Sequence, residues 1–502
     1  MKVFSTPQIR EIDRYTIQHE PIESVDLMER AAYALFSWVV SNISFYNKVL
    51  VLCGPGNNGG DGLALARMMY CVGYNIEVYC LQANSYSSDF SLNLDRLKKI
   101  NVLLKPICTS TDFPKINSDD VIVDALFGSG LTRPLEGVSA ELVNYVNSVS
   151  SKIISIDIPS GLFGDTNPYP NISPIIESDI CLTLQFPKKS FFFAENEKYL
   201  NKWIVLPIGL HHQIIDETQT PFFYTDFSEV KPRFLPRKTF SHKGTYGHTL
   251  IVAGSYGMMG AASLCALSAV KSGVGLVTMH IPQCGYSIAQ QLVPMAMCVV
   301  DKNDNCISDV CIPDNKYSSI CIGPGFGTSQ ETVNALHNLL SSINVPLLLD
   351  ADALNIISQN MHLLNILPEN TIITPHPGEF DRLFGKCSCG QERLDRAIEI
   401  AHRYKIVIVL KGAYTQVISP DGSVQFNSTG NPGLATGGSG DVLSGLISGL
   451  LAQGHSSVNA AVIGVFLHGL SGDIAEKELG QHSLSAENII ESLPLAFKYL
   501  LE

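Results

Sequence analysis

Several things are scarce in this 502-residue sequence, and each shortage closes a class of explanation. Positive charge is scarce. Lys and Arg number 34 against 47 Asp and Glu, a net charge of −13. A nucleic-acid binder needs a basic face to neutralise phosphates, so that class is excluded. Small phosphorylated ligands are not, because backbone N–H groups and one or two lysines suffice to hold them. No stretch reaches the roughly 18 consecutive apolar residues of a membrane span, and Met1–Pro7 carries no apolar run of a secretory signal. A cytoplasmic enzyme with no membrane partner is expected. Cysteine is present but unpaired in pattern: 13 scattered residues, with Cys53, Cys181, Cys265 and Cys321 inside apolar runs. Buried thiols in a reducing compartment account for them. Cys387-x-Cys389 lacks the second pair that a zinc site needs. There is no Gly-Lys-Ser/Thr, hence no P-loop, and no short-period repeat.

What remains is abundant apolar material, 45% against 16% charged, enough for large cores without extended disorder. The length points to two to four domains. Thr6 followed by Pro7 reads as a helix N-cap with proline in the first turn. A second helix is expected over Ser24–Ser41, with Leu27, Ala31, Leu35 and Trp38 at helical spacing. Continuous apolar runs at Lys48–Cys53, Ile76–Leu81, Val121–Phe127, Ile153–Ile158 and Ile180–Leu184 suit strands covered on both faces. Residues 210–238 are richer in proline and charge, and the domain boundary is placed there, giving domains 1–225 and 226–502. Beyond it the pattern restarts with Thr249–Ala253, Leu276–His280, Ile320–Ile322, Pro346–Asp350 and Ile406–Leu410, then a hairpin of Tyr414–Ser419 and Val424–Asn427 around Pro-Asp-Gly. From Gly440 the tail reads as helical, with Gly445 and Gly449 spaced for close helix packing. The fold class is α/β in two domains, the first a Rossmann-like three-layer α/β/α arrangement.

The sharpest motif is Gly54-Pro-Gly-Asn-Asn-Gly-Gly-Asp-Gly62, between a strand and a helix expected over Leu63–Tyr70. Such glycines admit close backbone approach or positive φ, and a helix N-terminus faces an anion. Gly54, Gly56 and Gly59 fit G-x-G-x-x-G, with Glu77 near the ribose-binding position, a weak match by itself. Asp124-Ala-Leu-Phe-Gly-Ser-Gly-Leu-Thr-Arg-Pro134 and Ile156-Asp-Ile-Pro-Ser-Gly161 end two further strands. Carboxyl ends of parallel strands line a ligand crevice. Asn58, Asp124 and Ser160 offer hard oxygens suited to a main-group cation, and Asp157 is a candidate general base, though lone aspartates also serve as caps and turn formers.

These three loops, in this order, resemble the NAD(P)H-hydrate epimerase domain over about residues 1–210. The resemblance implies that Asn57, Asn58, Gly59, Gly60 and Asp61, with Gly128, Ser129, Gly130, Leu131, Thr132, Arg133 and Pro134, contact a hydrated nicotinamide dinucleotide. It implies that Asn58, Asp124 and Ser160 hold K⁺, and that Asp157 binds substrate and acts as base. The segment Gln185–Phe193 departs from the family pattern in lacking glycines after Pro-Lys.

In the second half, Thr436-Gly-Gly-Ser-Gly-Asp441 leads into a helix. Its free N–H groups form an anion hole, and Asp441 in the first turn suits a base facing the hydroxyl being deprotonated. Lys411-Gly-Ala-Tyr-Thr415 follows a strand, and a lysine at a strand end can reach nucleotide phosphates, although alone the segment is an ordinary turn as often as not. In Thr374-Pro-His-Pro-Gly-Glu-Phe, Glu379 is a candidate for holding Mg²⁺ through water. Together with LDADAL and the opening His242-Lys-Gly-Thr-Tyr-Gly-His248, these segments resemble the ribokinase-like superfamily, and within it the ADP- or ATP-dependent NAD(P)H-hydrate dehydratases, over about residues 230–502. A second, ribokinase-like α/β/α domain is implied. So are substrate contacts at Ala261, Gly325, His376 and Asp441, nucleotide contacts at Lys411, Gly412, Ala413, Tyr414 and Thr415 and over Asn431–Gly440, including Gly437, Gly438, Ser439 and Gly440, and Asp441 as catalytic base.

The implied function is repair of hydrated NADH and NADPH: interconversion of R and S epimers at C6 in one domain and dehydration of the S form in the other. ADP is the expected donor, with ATP the alternative, K⁺ and Mg²⁺ the expected ions, and a homo-oligomer the expected assembly. Two rivals remain: a ribokinase-like vitamin or small-molecule kinase fused to an epimerase-like domain, and a first domain that only binds or scaffolds.

Overall fold

A computed structural model describes residues 1–313 and 315–502. The chain forms two compact units, one of Lys2–Thr220 with Cys389–Gln391, the other of Met1, Pro221–Ser388 and Glu392–Glu502.

The first unit holds a seven-stranded sheet of β1 (Lys48–Cys53), β2 (Asn75–Leu81), β3 (Leu104–Ile107), β4 (Val121–Ala125), β5 (Lys152–Ile156), β6 (Ile180–Leu184) and β7 (Trp203–Leu206). The order is β3-β2-β1-β4-β5-β6-β7, and every pairing is parallel. The uniform apolar runs have a simple cause. Val49, Val51 and Cys53 enter the core on one face of β1, while Leu50 and Leu52 enter the core on the other. Each fully buried side chain of this size contributes about 1.5–3 kcal/mol. The chain lays down β1, β2 and β3 in one direction, then returns to place β4 on the other side of β1. The crevice of such a sheet lies at this reversal, outside the strands' carboxyl ends.

Local chemistry sets the helix starts. Ser5, not Thr6, caps the helix Thr6–His19, because Ser5 N donates to Gln8 Oε1 at 3.0 Å in a capping box. The helix after β1 begins at Asn57 rather than Leu63, so most of the glycine motif lies in its first turns. Strands expected to run to Phe127 and Ile158 stop at Ala125 and Ile156, where the chain turns to present its polar side chains.

The second unit contains β8 (Phe222–Thr225), β9 (His248–Val252), β10 (Leu276–Ile281), β11 (Met297–Val300), β12 (Ser319–Ile322), β13 (Leu347–Leu349), β14 (Ile372–Ile373), β15 (Val407–Leu410), β16 (Gln416–Ile418) and β17 (Val424–Asn427). They form one ten-stranded sheet, β11-β10-β9-β12-β13-β14-β15-β16-β17-β8. Pairing is parallel from β11 to β15, and β16 runs antiparallel to both neighbours, confirming the hairpin. Phe222–Thr225 pairs with β17 and therefore belongs to this sheet. The division thus falls at Pro221, ahead of the 225/226 boundary expected from composition.

Helix Ser457–Leu479 is long and apolar enough to cross a bilayer by length and composition, but 78% of that window is buried within the protein, as in a core helix. Helix Ser439–Ala452 packs closely on helix Met259–Lys271. A Cβ on Gly445 would fall 1.9 Å from the Cys265 carbonyl oxygen, and one on Gly449 1.9 Å from Ser272 Oγ. Close packing, not chemistry, fixes this pair. Gly445→Ala is therefore expected to lower stability by about 1–3 kcal/mol through overpacking. Gly260→Ala, in a helix with nothing within 4 Å of the new methyl, should be neutral or stabilising. Denaturant midpoints of the two variants check this.

Candidate active sites

In the first unit the loops after β1, β4 and β5 meet at the reversal point. The glycines of the first loop serve its packing. A Cβ on Gly54 would lie 1.7 Å from the Leu126 carbonyl oxygen, and one on Gly59 would lie 1.8 Å from that of Gly54. None of Gly54, Gly56, Gly59, Gly60 and Gly62 has positive φ. Of the two alternatives, close approach and positive φ, close approach is the one that holds, and it is to the protein's own backbone: the motif lets the helix start seat against the loop after β4. Glu77 is also reassigned. It lies near the beginning of β2, away from the crevice, and pairs with Lys48 (2.9 Å) and Lys105 (2.8 Å).

Asp124 is fully buried and accepts four hydrogen bonds. Ser160 Oγ (2.6 Å) and Leu126 N (3.2 Å) donate to one oxygen, Ser155 Oγ (2.9 Å) and Ser160 N (2.9 Å) to the other. Burial raises its carboxyl, and these donors hold it back. Ser160 also ties this loop to the next by accepting from Phe127 N at 2.8 Å. Asn58, 8% exposed, has neither amide atom hydrogen-bonded. A buried carbonyl oxygen without a donor is costly and fits an alkali cation, as do a carboxylate and a hydroxyl in the same crevice. Asn57, Gly130, Thr132 and Arg133 are exposed at the rim; Gly60 and Asp61 are buried; Gly128, Ser129, Leu131 and Pro134 are half-buried.

Asp157 sits at φ 67°, a conformation that costs a non-glycine residue free energy and marks functional sites. Ser129 N donates to its Oδ2 at 3.0 Å, joining the second and third loops. Lys188 Nζ stands 2.7 Å from its Oδ1. Burial pushes Asp157 up, but Lys188 and the Ser129 bonds outweigh it and hold the carboxyl below its usual range. Lys188 is 2% exposed and also donates to Thr183 Oγ1 (2.9 Å) and the Phe186 carbonyl (3.1 Å). Sequence reasoning missed this residue. Its signal was a lysine inside the aromatic segment Gln185–Phe193, where a charge needs a partner.

In the second unit the sites gather at the carboxyl ends of β9, β12, β13, β14 and β15. A Cβ on Gly325, whose φ is 57°, would lie 3.2 Å from Ala261 Cβ, so two residues far apart in sequence are neighbours. Gly438, at φ 90°, caps the helix carrying Ser439, Gly440 and Asp441. A Cβ on Gly440 would lie 3.4 Å from Lys411 Nζ, which places the lysine beside this anion hole. Lys411 donates to Asp350 Oδ1 at 3.1 Å and lies 3.8 Å from Glu379 Oε2. Asp350 Oδ2 accepts from Ser444 Oγ at 2.6 Å. Burial and the charges of Asp350 and Asp352 lift Asp441 to about 7, with Lys411 opposing. Gly412, Ala413, Tyr414 and Thr415 form a turn in which Thr415 Oγ1 donates to the Gly412 carbonyl at 2.9 Å. Gly437 is exposed next to Gly438.

His376 caps helix Pro377–Phe384, its Nδ1 accepting from Gly378 N at 3.1 Å, which leaves Nε2 as the protonated nitrogen. Glu379 completes this cap, its Oε2 accepting from His376 N at 2.8 Å. Among the described residues no group of three or more His, Cys, Asp or Glu side chains is placed to hold a metal. Sequence reasoning also missed Asp350, although LDADAL contained it. It missed Asp473 as well, which fastens Asn431 by accepting from its Nδ2 at 3.0 Å.

Comparison with known proteins places the chain in a family. A family model described as YjeF-related protein N-terminus matches residues 24–190, and one described as NAD(P)H-hydrate dehydratase matches residues 249–495. A bifunctional NAD(P)H-hydrate repair enzyme of Thermofilum pendens is 34% identical, covering 100% of this chain and 97% of its own. A ribokinase-like superfamily protein of Enterococcus faecalis superposes with TM-score 0.50 at 25% identity, over 56% of this chain and 98% of its own. An ADP/ATP-dependent NAD(P)H-hydrate dehydratase of Bacillus subtilis, co-crystallised with ATP and Mg²⁺, is 32% identical with TM-score 0.49, over 55% and 98%.

The Asp157–Lys188 pair yields a stability prediction. Lys188→Met should cost about 3–5 kcal/mol at neutral pH, because it leaves a buried carboxylate unpaired. Asp157 is depressed in the fold, so its favourable contribution is present above the unfolded carboxylate range and is lost as pH falls through the folded value. The gap between variant and parent should therefore close in acid, and adding Asp157→Asn should recover part of the loss. Urea titrations across pH check both.

Proposed function

The chain belongs to the bifunctional NAD(P)H-hydrate repair enzymes, and from that premise we propose that its first unit interconverts the R and S hydrates at C6 while its second dehydrates the S form with ADP or ATP. One observation carries the reading: Asp441, lifted to about 7, heads a helix whose glycine turn lies against Lys411. That is a base beside a phosphoryl cradle.

Hydroxide is a poor leaving group, so dehydration first needs the C6 hydroxyl phosphorylated. Asp441 takes the hydroxyl proton. The N–H groups of Gly438–Gly440 and the Lys411 ammonium hold the transferring phosphoryl group, and its positioning supplies most of the acceleration. Elimination of phosphate restores the ring double bond. Lys411–Thr415 and Asn431–Gly440 would hold the nucleotide, which Mg²⁺ accompanies to offset its charge, and Ala261, Gly325 and His376 would line the hydrate. ADP is the proposed donor. This product separates the enzyme from a kinase, which would release a phosphorylated alcohol.

In the first unit, Asn58, Asp124 and Ser160 would hold K⁺, supported by the unpartnered Asn58 amide. The ion would supply positive charge to anchor the anionic substrate. Asn57–Asp61 and Gly128–Pro134 would contact the dinucleotide. Asp157, kept ionised by Lys188, is ready to accept a proton, which distinguishes this unit from a mere scaffold. A cytoplasmic setting accords with cysteines that are all free thiols. A homo-oligomer is part of the same proposal, for sedimentation to decide.

Two outcomes are expected. Asp441→Asn should lower dehydration of the S hydrate by roughly 10²–10⁴-fold, with nucleotide binding retained. In the parent protein the rate should rise with pH through about 7 as Asp441 ionises. Recovery of reduced-nicotinamide absorbance, followed from pH 5 to 9, reads both. Asp124→Ala should impair epimerisation and abolish any dependence on K⁺, while S hydrate supplied alone is dehydrated at the parent rate. Failure of dehydration in a folded variant would show that the two activities are not independent.

A further inference from the structure

Helix Thr6–His19 belongs to none of the loops that carry the first site, yet one of its faces is built into that site. Thr6, Arg10 and Asp13 recur at four- and three-residue spacing and share that face. Thr6 N donates to both carboxylate oxygens of Asp165, at 3.2 and 3.1 Å. A Cβ on the neighbouring Gly164 would lie 3.0 Å from Thr6 Oγ1 and 3.9 Å from Lys188 Cβ. One turn further, Arg10 donates to the Gly130 carbonyl in the substrate loop at 3.1 Å. One turn beyond that stands Asp13, half-buried and without a hydrogen-bond partner among the described residues. It shares the helix face that Thr6 and Arg10 set against the site, and its charge interacts with those of Asp157, Lys188 and Asp61.

We infer that Asp13 is a catalytic residue of the epimerisation, the proton donor to the C6 hydroxyl that works opposite Asp157. The inference rests on the epimerase reading of this unit and adds to it the second half of an acid–base pair. A carbon that bears a hydroxyl next to a ring nitrogen inverts, with the ring kept closed, when the hydroxyl leaves and returns on the other face. The C6–O bond breaks, its electron pair stays on oxygen, and the Asp13 proton converts the hydroxide into water. The N1 lone pair forms the C6=N1 bond of an iminium. Water adds to the opposite face, the C6=N1 π pair returns to nitrogen, and the proton of the added water goes to Asp157. A protonated alcohol is acidic enough to give its proton even to a carboxylate held low by Lys188. One proton has then moved from Asp13 to Asp157, and exchange with solvent, or turnover in the other direction, resets it.

The electrostatics separate the roles. Burial and the charge of Asp157 lift Asp13 to about 6 against the pull of Lys188, so it exchanges protons near neutrality. Burial, with Asp157, Asp13 and Asp89 around it, drives Asp61 far above the carboxylate range. Two carboxyl groups pushed apart by their surroundings are the signature of an acid and a base.

The test uses the full-length chain. Purified R hydrate of NADH is converted without nucleotide, the epimers are separated by chromatography, and kcat and KM are measured from pH 5 to 8. In the parent, kcat/KM should fall as pH rises through about 6, where Asp13 loses its proton. Asp13→Asn should lower kcat by roughly 10²–10⁴-fold with KM little changed, and the limb near 6 should vanish from the residual rate. Asp13→Glu should recover part of the rate and keep a limb. Dehydration of S hydrate by the same preparations should remain at the parent rate, showing that the second unit is intact. Parent-like turnover in Asp13→Asn, a rise in KM alone, or an unchanged limb would overturn the inference. A parent chain that dehydrates S hydrate but never interconverts the epimers would instead overturn the epimerase reading, and the inference with it.

Discussion

A parallel strand sends every carboxyl end to the same side of its sheet, and both units of this protein depend on that constraint. Each strand's residues disappear into two cores, which forces long apolar runs and leaves polar chemistry nowhere to go but the loop that follows. The reversal of strand order then decides which loops face each other. Asn58, Asp124, Asp157 and Ser160 meet because β1, β4 and β5 are neighbours. Lys411, Asp350 and Gly440 meet because β13 and β15 flank β14 and helix Ser439–Ala452 ends its approach above them.

The two sites solve one electrostatic problem in a similar way. Each buries more carboxylates than cations and sets one lysine among them, Lys188 in the first and Lys411 in the second. A single lysine cannot neutralise every acid around it, so the acids sort by distance from it. Asp157, in direct contact, is held ionised, whereas Asp441, further off and near Asp350 and Asp352, is lifted to about 7. Burial supplies the upward push in both, and the placement of one ammonium decides which carboxyl can release or take a proton at neutral pH.

Much of this was legible in the sequence where a local rule acts alone. The strands Lys48–Cys53, Ile180–Leu184 and Val424–Asn427 have the extents expected of them, because two-sided burial writes itself as an uninterrupted apolar run. The motif residues Asn58, Asp124, Asp157, Ser160 and Asp441 fall at strand ends and helix starts as anticipated. Edge strands were not legible: β3 contains Lys105 and Pro106 and so lacks an apolar run, and β11 is apolar but only four residues long. Nor was Phe222–Thr225, whose partner β17 lies some 200 residues away in sequence and whose surroundings read as linker. Lys188 escaped for a related reason. Its aromatic surroundings say that the charge needs a partner, but the partner, Asp157, follows a different strand and is not named by any neighbour in sequence.

The packing of the glycine motif also limits how this enzyme can change. Because side chains on Gly54 and Gly59 would strike backbone carbonyls, the floor of the first crevice is fixed by main chain, and its shape is shared by any sequence that folds this way. If the crevice takes a dinucleotide as proposed, freedom to accept a differently decorated one would lie at the rim, where the side chains of Asn57, Thr132 and Arg133 reach solvent. Selectivity and catalysis therefore sit on parts of the loop that can diverge separately, so that a lineage can retune what it admits while the proton-handling floor stays as it is.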